Sequence, residues 1–434
     1  MARKKTPNLR IRAVRDERFQ MSRTEFAALI NREGERMGEN VGCTPRVIAT
    51  WEDGDVACPR AVYRRILAKL TGEDMAALGF SPAPRQATGT VITFDHDDNP
   101  EEPVDRRTFC FDGTALALPI DAADSASGRV GAREVRSIAK AVNVIYAHDH
   151  DHGSAALRRD ATGALHTAYR WLQEGAYTER TEKNLRSAIG FLAIATGWLS
   201  FDSGRPADAR SLYGEALAAA RMADNAGLEA HAFGCLSLLA KASGRPREAI
   251  SAAQAAQSAA RALGSPQMLA LFHMREACGW ALMGDTSATD QAVIRAHDLY
   301  SQGPREADPD WLEFFTPAEL AGLESLCRAD LGQQARAAAG AEQAVLLHGT
   351  GFARNRALYA ADVAVHHALR DRPDLEASVE AAKQVLTRVP EVKSHRLLKA
   401  LRNIAGALQR HARVQVAADW LDEYRSIAKH PSGG

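Results

Sequence analysis

Two short segments near the start of the chain carry apolar residues three and four positions apart. These residues are Phe26, Leu29 and Ile30 in the first segment and Val47, Ile48 and Trp51 in the second. This spacing is typical of an amphipathic helix with one buried face. Arg46, Ala49 and Thr50 then fall on the opposite face of the second helix, so we expect them to point outward.

Both segments begin with residue types that start helices. Ser22 can accept a hydrogen bond from the backbone N–H of Glu25, while the Glu25 carboxylate accepts one from the backbone N–H of Ser22. Thr44 is suited to cap the second helix, and Pro45 fits its first turn, where a missing N–H has no effect. The sequence therefore predicts two capped helices, the second ending before Gly54.

Small residues repeat at a long period in the rest of the chain. Aligning the residue just after each predicted turn gives spacings of 40, 40, 48, 40 and 40, at Ala209, Ala249, Thr289, Ala337, Ala377 and Ala417. The turns themselves are Gly204-Arg205-Pro206, Gly244-Arg245-Pro246, Gly284-Asp285, Gly332-Gln333 and Arg372-Pro373-Asp374. Glycine ends a helix, and proline or aspartate begins the next. A helical hairpin repeated in this way is the signature of a solenoid.

Charge is distributed unevenly, although the 434-residue chain is neutral in total and 46% hydrophobic. Residues 1–25 hold eight Lys or Arg against three acids, whereas residues 81–105 hold six acids and one Arg. The first segment could contact phosphates or be a solvated end. The second is rich in proline, which favours a flexible tether. We therefore predict domains at 1–80 and 131–430, joined by an acidic linker of residues 81–130.

The cysteines are scattered and form no C-x-x-C pair. They are Cys43, Cys58, Cys110, Cys235, Cys278 and Cys327. This pattern fits a reduced cytoplasm, which we take as the expected location. No run of about eighteen uncharged apolar residues occurs, so no membrane contact is expected.

Motifs for catalysis are absent. The sequence has no Gly-rich phosphate loop, no G-x-S-x-G elbow and no H-E-x-x-H pair, so we expect no enzymatic activity and no cofactor. The stretch from Tyr146 to Gly153 concentrates histidine and aspartate, which can ligate metal ions. Its alternative, a hydrated polar helix end, agrees better with its helical surroundings, so no metal site is predicted.

The N-terminal segment resembles the lambda-repressor-like helix-turn-helix family, through Trp51-Glu52-Asp53-Gly54 at the end of the second helix. The resemblance implies DNA binding, with base-reading and phosphate-contacting positions. The base-reading positions are Pro45, Arg46 and Thr50, and the phosphate positions are Arg23, Thr44, Arg60 and Arg64. It also implies an ion pair between Arg15 and Glu52. The chain has roughly ten residues more than the family between Phe26 and Thr44, which would either lengthen the first helix or form a wing.

Further segments resemble a group of actinobacterial regulators that join such a domain to helical repeats. The matching residues are Pro59-Arg60-Ala61-Val62-Tyr63-Arg64-Arg65-Ile66-Leu67, Leu78-Gly79-Phe80 and Arg106-Arg107-Thr108-Phe109. The repeats are most similar to the tetratricopeptide family, and one unit has Gly197, Gly204, Ala209, Tyr213 and Ala216 at its spacing, although the period is longer than about 34 residues. The expected fold class is all-α, with an N-terminal helix-turn-helix domain and a C-terminal α-solenoid of tetratricopeptide-like helical hairpins.

A solenoid of this kind offers a concave groove for a ligand or partner. Helix-face spacing directs Trp198 and Phe201 toward it, with Lys241 in the next unit; alternatively, these residues pack between helices. The sequence thus predicts a transcriptional regulator that binds double-stranded DNA as a homodimer and senses a peptide, small-molecule or protein effector in the groove. The alternative is a tetratricopeptide adaptor that acts through protein contacts and does not bind DNA.

Overall fold

The structure of the protein is a computed structural model. It describes residues 7–37, 41–54, 56, 59, 61–80, 118, 120, 129–152, 157–348, 353–388 and 395–429. Within these ranges the secondary structure is helical, with one isolated backbone bridge between Arg129 and Ala176 and no strand. The all-α prediction is therefore confirmed. Among the described helices, none combines the length and apolar character needed to span a membrane.

The described residues of the N-terminal part form four α-helices and one short π-helical turn. They are α1 (Leu9–Ala13), the π-helix Val14–Arg18, α2 (Arg23–Arg36), α3 (Pro45–Glu52) and α4 (Ala61–Thr71). Their apolar faces form one small core, in which Phe26, Ile48 and Trp51 are almost fully buried. Most of residues 81–130 lie outside the described residues.

The helices that follow form consecutive pairs. They are α5 (Ala132–His152), α6 (Leu157–Glu174), α7 (Glu179–Asp202), α8 (Pro206–Met222), α9 (Ala226–Ala242), α10 (Pro246–Ala260), α11 (Pro266–Leu282), α12 (Thr286–Tyr300), α13 (Pro317–Asp330), α14 (Gln334–Leu347), α15 (Ala353–Leu369), α16 (Leu375–Arg388), α17 (His395–Gln409) and α18 (Gln415–Lys429). Each pair packs against the next one, which is the arrangement of an α-solenoid.

The capping chemistry expected for α2 and α3 is present. The backbone N–H of Ser22 donates to Glu25 Oε2 at 2.8 Å, and the Glu25 N–H donates to Ser22 Oγ at 3.3 Å. Thr44 Oγ1 accepts from the N–H of Val47 at 3.3 Å. Because α2 continues to Arg36, the extra residues before Thr44 largely lengthen the first helix.

The six repeat positions were expected to be buried between paired helices. They lie near the start of α8, α10, α12, α14, α16 and α18. Five of the six are fully buried at 0% exposure, and Ala377 is half-buried. Such small side chains allow the paired helices to approach closely. Gly204, Gly244, Gly284 and Gly332 end the preceding helices with φ between 68° and 78°, which glycine adopts without strain. The helical-hairpin period predicted from the sequence is therefore confirmed.

One hairpin interval is longer than the others because a 3₁₀-helix, Asp310–Phe314, is inserted before α13. Its Trp311 ring stacks on His231 of α9, with ring centroids 3.7 Å apart and an interplanar angle of 10°. Phe315 follows and is 2% exposed in the core. The eight extra residues of this interval thus tie α9 to the loop before α13.

The solenoid coils far enough to bring early helices against late ones. Asp202 at the end of α7 lies 3.9 Å from Arg354 of α15 and 4.0 Å from Arg396 of α17. Helix α15 also packs against α5. This coiling encloses an inner surface formed by the first helix of each hairpin.

Candidate ligand groove and N-terminal helix face

A groove with a volume of about 2060 Å³ follows the inner surface of the solenoid. Its walls come from α5, α7, α9, α11, α13, α15 and α17, and four cations of the N-terminal helices border it: Arg36, Arg64, Arg65 and Lys69. Pockets for small molecules usually measure about 300–1,000 Å³. The groove is therefore large enough for an extended peptide segment.

The three residues predicted for the groove all line it, and all three also contact other parts of the protein. The guanidinium of Arg396 lies over the rings of Trp198 and Phe201, 5.6 Å from each centroid, and that of Arg354 lies 5.5 Å from the Trp198 centroid. Lys241 Nζ lies 2.9 Å from Asp330. Both predicted roles of the two aromatic residues are therefore observed: they line the groove, and they also pack between distant helices.

Arg275 also lines the groove, although no sequence pattern pointed to it. It lies half-buried on α11 and makes no hydrogen bond, ion pair or ring contact within the part of the chain that the structure describes. The carboxylate of the adjacent Glu276 accepts hydrogen bonds from the side-chain amides of Gln254 and Gln257, each at 2.8 Å. The sequence feature that could have indicated Arg275 is its positive charge on α11, a helix that is apolar on nearly every side.

Burial raises the pKa of two acids that could balance the cations of the groove. Burial raises the pKa of Glu319, although Arg275 opposes this, and it raises the pKa of Asp362 to about 7. Burial also lowers the pKa of His231 to about 3, so its ring is neutral at neutral pH. The shift of Asp362 therefore leaves that carboxyl only partly charged at neutral pH, whereas the shift of His231 removes a positive charge.

Cations exceed acids among the groove residues. The solenoid contributes Lys241, Arg275, Arg354, Arg396 and Lys399 against Asp310, Glu313, Glu319, Asp330 and Asp362, and the N-terminal helices add the four cations named above. Nine cations therefore face five acids, of which Glu319 and Asp362 have raised pKa values. Cations thus outnumber acids along the groove, although Asp202 behind its wall lies within 4.0 Å of two of them, Arg354 and Arg396.

The outward face of α3 is exposed near its N-terminus. Thr44, Pro45 and Arg46 are exposed, and Arg46 has no partner among the described residues. Thr50 is half-buried, and its hydroxyl donates to the carbonyl of Val47 at 2.7 Å. This face therefore presents the Arg46 guanidinium, which has no partner among the described residues, beside the exposed N-terminus of α3.

The inner side of α3 is held by one buried carboxylate. Arg15 Nε donates to Glu52 Oε1 at 2.6 Å, so the predicted Arg15–Glu52 pair is present. Arg23 also donates to Glu52, at 2.8 Å from Nε, and its side chain is 36% exposed. Glu52 thereby joins the end of α3 to the π-helix and to the start of α2.

Other predicted residues fall elsewhere. Arg64 borders the groove. Arg60 lies outside the described residues, as does the basic segment at residues 1–6. The side chains of His148–His152 are likewise not described, and no group of three metal-ligating side chains occurs in the described remainder.

No protein-family model matches the chain, and no curated protein matches it. Among solved structures it is similar to the Rap protein complexed with competence and sporulation factor, with 10% identity, a TM-score of 0.40, and coverage of 68% of this chain and 98% of that one. It is similar to a signal transduction ATPase with a tetratricopeptide repeat sensor from Pyrococcus horikoshii, with 13% identity, a TM-score of 0.33, and coverage of 70% and 53%. It is also similar to the Cut9–Hcn1 hetero-tetramer, with 11% identity, a TM-score of 0.32, and coverage of 68% and 57%. These values assign no family.

Proposed function

We propose that the protein binds an acidic peptide segment of a partner in the groove of its solenoid. The observation that carries this proposal is the guanidinium of Arg275, which makes no hydrogen bond or ion pair with any described residue, inside a groove where cations outnumber acids. A half-buried charge without a directly bonded counter-ion is costly, and a ligand carboxylate in contact with the guanidinium would offset that cost. The volume favours a peptide over a small molecule.

Arg275→Ala is expected to weaken peptide binding about 10- to 100-fold, because a hydrogen bond to a charged group contributes about 1.5–3 kcal/mol. Peptides would be selected with the full-length protein from a random library, and their dissociation constants measured by fluorescence anisotropy. Arg275→Lys should retain part of the affinity, since it keeps the charge but loses the planar donor geometry.

Arg295→Ala is the matched control for this measurement. Arg295 is an exposed arginine without a partner among the described residues, and it lies on α12, the outer helix of the same hairpin. It should leave affinity unchanged. Selected peptides without acidic enrichment, or equal affinity of the Arg275→Ala variant, would count against an acidic ligand.

A second function, sequence-specific DNA binding by α3, is favoured by the exposed and unpartnered Arg46. Arginine makes the commonest specific contact of the major groove, a bidentate pair of hydrogen bonds to guanine. In this proposal Arg46, Thr50 and Pro45 meet the bases, whereas the phosphate contacts come from Arg23, Thr44, Arg60 and Arg64. A homodimer would read two half-sites.

The two functions combine in a ligand-responsive transcriptional regulator. Arg64, Arg65 and Lys69 of α4 border the groove, so a ligand bound there would contact the N-terminal helices as well as the solenoid. Such a ligand changes DNA affinity if it binds one arrangement of the two parts better. The proposal includes a cytoplasmic location, and it includes no catalytic step, metal or cofactor.

Arg46→Ala is expected to cost about 1–3 kcal/mol on a selected site and to relax base preference at one position. Sites would be selected from a random duplex pool and compared at fixed salt concentration, because phosphate contacts make affinity salt-dependent. Arg32→Ala, at an exposed position of α2, is the control. If no sequence is enriched, the protein is a peptide-binding adaptor that does not read DNA.

A further inference from the structure

Two buried cysteines meet in one wall of the groove. Cys278 lies on α11 and Cys327 on α13, the first helices of consecutive hairpins, and their Sγ atoms are 3.4 Å apart. Their exposed fractions are 4% and 0%. Cys278 nevertheless lines the groove, which is the side from which a small molecule would approach its sulfur.

The surroundings of this pair favour a thiolate at Cys278. The hydrogen bond from the Cys327 thiol lowers the pKa of Cys278, burial opposes this, and the charges of Lys241 and Arg275 lower it further. The same hydrogen bond raises the pKa of Cys327. One sulfur is therefore suited to act as a nucleophile, while the other retains its proton beside it.

The other described cysteines, Cys43 and Cys235, do not favour a thiolate. Burial raises the pKa of both Cys43 and Cys235 to about 12. Cys235 also lines the groove, so access alone does not separate it from Cys278. Neither has a second cysteine as a hydrogen-bond partner among the described residues. Cys43 and Cys235 therefore serve as internal controls.

We infer that Cys278 and Cys327 form a dithiol site that reacts with peroxides and closes to a disulfide between α11 and α13. The Cys278 thiolate attacks one oxygen of hydrogen peroxide, giving a sulfenic acid and hydroxide, and the hydroxide takes up the proton that Cys278 had released. The Cys327 sulfur then attacks the sulfenic sulfur, its proton leaves with the hydroxyl as water, and the S–S bond forms. Two thiols lose two electrons, and one peroxide becomes two waters.

The bond would lock two groove-lining helices together beside the Lys241–Asp330 ion pair. It would cross-link residues 49 positions apart in the sequence. Because Cys278 faces the groove and Lys241 lines it, oxidation changes the shape and charge distribution of the same surface. This effect does not depend on which ligand the groove binds.

The test is peptide mapping of the full-length reduced protein after stoichiometric hydrogen peroxide at neutral pH and alkylation of the remaining thiols. Trypsin cuts after Arg275, Arg295, Arg305 and Arg328, so the disulfide links peptides 276–295 and 306–328. We expect this linked pair, with a mass about 2 Da below the sum of the two free thiol peptides, while Cys43 and Cys235 remain alkylated. Alkylated Cys278 and Cys327 after peroxide treatment would overturn the inference, as would a Cys235 linkage formed equally fast.

Single variants test the order of the steps. Cys327→Ser should form no linkage and accumulate a sulfenic acid at Cys278, detectable with dimedone, whereas Cys278→Ser should leave Cys327 as a thiol. Lys241→Met should shift the pH dependence of Cys278 alkylation to higher pH, because a positive charge beside the sulfur is lost. If Cys327 is the sulfenic residue, or if the pH profile does not move, the assignment of Cys278 as nucleophile is wrong. Mapping of the unaltered protein stands even if a variant folds poorly.

Discussion

Glu52→Ala is expected to destabilise the N-terminal helices by about 3–5 kcal/mol, the usual result of removing one partner from a buried ion pair. The side chain of Glu52 is 1% exposed, and that of Arg15 is 9% exposed. The substitution leaves the Arg15 guanidinium buried without its carboxylate and frees Arg23 at the start of α2. Hydrogen–deuterium exchange resolved by peptide should show the loss in α2 and α3 and leave the solenoid unchanged.

Two comparisons isolate the buried charge. Glu52→Gln keeps the shape and one acceptor oxygen, so it should cost less than Glu52→Ala. Glu73→Ala removes the partner of Arg18 from a pair whose side chains are 38% and 49% exposed, and it should have little effect. Equal exchange in the Glu52→Ala and Glu73→Ala variants would show that Glu52 does not hold the helices together.

The same carboxylate predicts an acid dependence. Burial alone would raise the pKa of Glu52, but the hydrogen bonds from Arg15 and Arg23 outweigh it and hold the pKa below 4.5. A carboxyl whose folded pKa is lowered contributes stability above its unfolded pKa and loses it as the pH falls through the folded value. The N-terminal helices should therefore loosen below about pH 4.5, and this part of the pH dependence should be absent in Glu52→Ala.

Local features of the fold could be predicted from the sequence because their causes lie within a few residues. The Ser22–Glu25 capping box and the Thr44 cap use donors three positions away. The small residues after each turn recur because every hairpin meets its neighbour in the same way. The insert after Phe26 was ambiguous, since both a longer helix and a wing satisfy the local pattern; the structure shows the longer helix.

The groove could be predicted only in part. The hairpin period indicates a concave surface, and helix-face spacing directed Trp198, Phe201 and Lys241 to it, where the structure also has them. The partners of these side chains were not predictable. Arg354 and Arg396 reach α7 through the accumulated rotation of several hairpins, and no local pattern records that rotation. Arg275 was missed because the absence of a hydrogen-bond partner depends on the side chains of neighbouring helices, which no pattern within α11 records.

Asp202→Ala is expected to cost about 3–5 kcal/mol and to open the coil of the solenoid. Asp202 is 0% exposed and lies within 4.0 Å of Arg354 and Arg396, so its carboxylate joins α7 to α15 and α17. Removing it leaves Arg354, whose side chain is 3% exposed, without this negative charge. Faster hydrogen–deuterium exchange in these three helices and a larger radius of gyration in solution scattering should both follow.

Asp208→Ala is the control for that experiment, because Asp208 pairs with Arg205 near the start of α8 and both side chains are more than 40% exposed. It should change neither readout. The cation–π contacts of Trp198 and Phe201 with the two arginines remain in the Asp202→Ala variant. The experiment therefore also shows whether the carboxylate or these ring contacts keep the solenoid coiled. If the radius of gyration is unchanged while exchange rises, the aromatic residues hold the coil closed and the carboxylate only balances the buried charge. If neither changes, the carboxylate has no part in closing the groove.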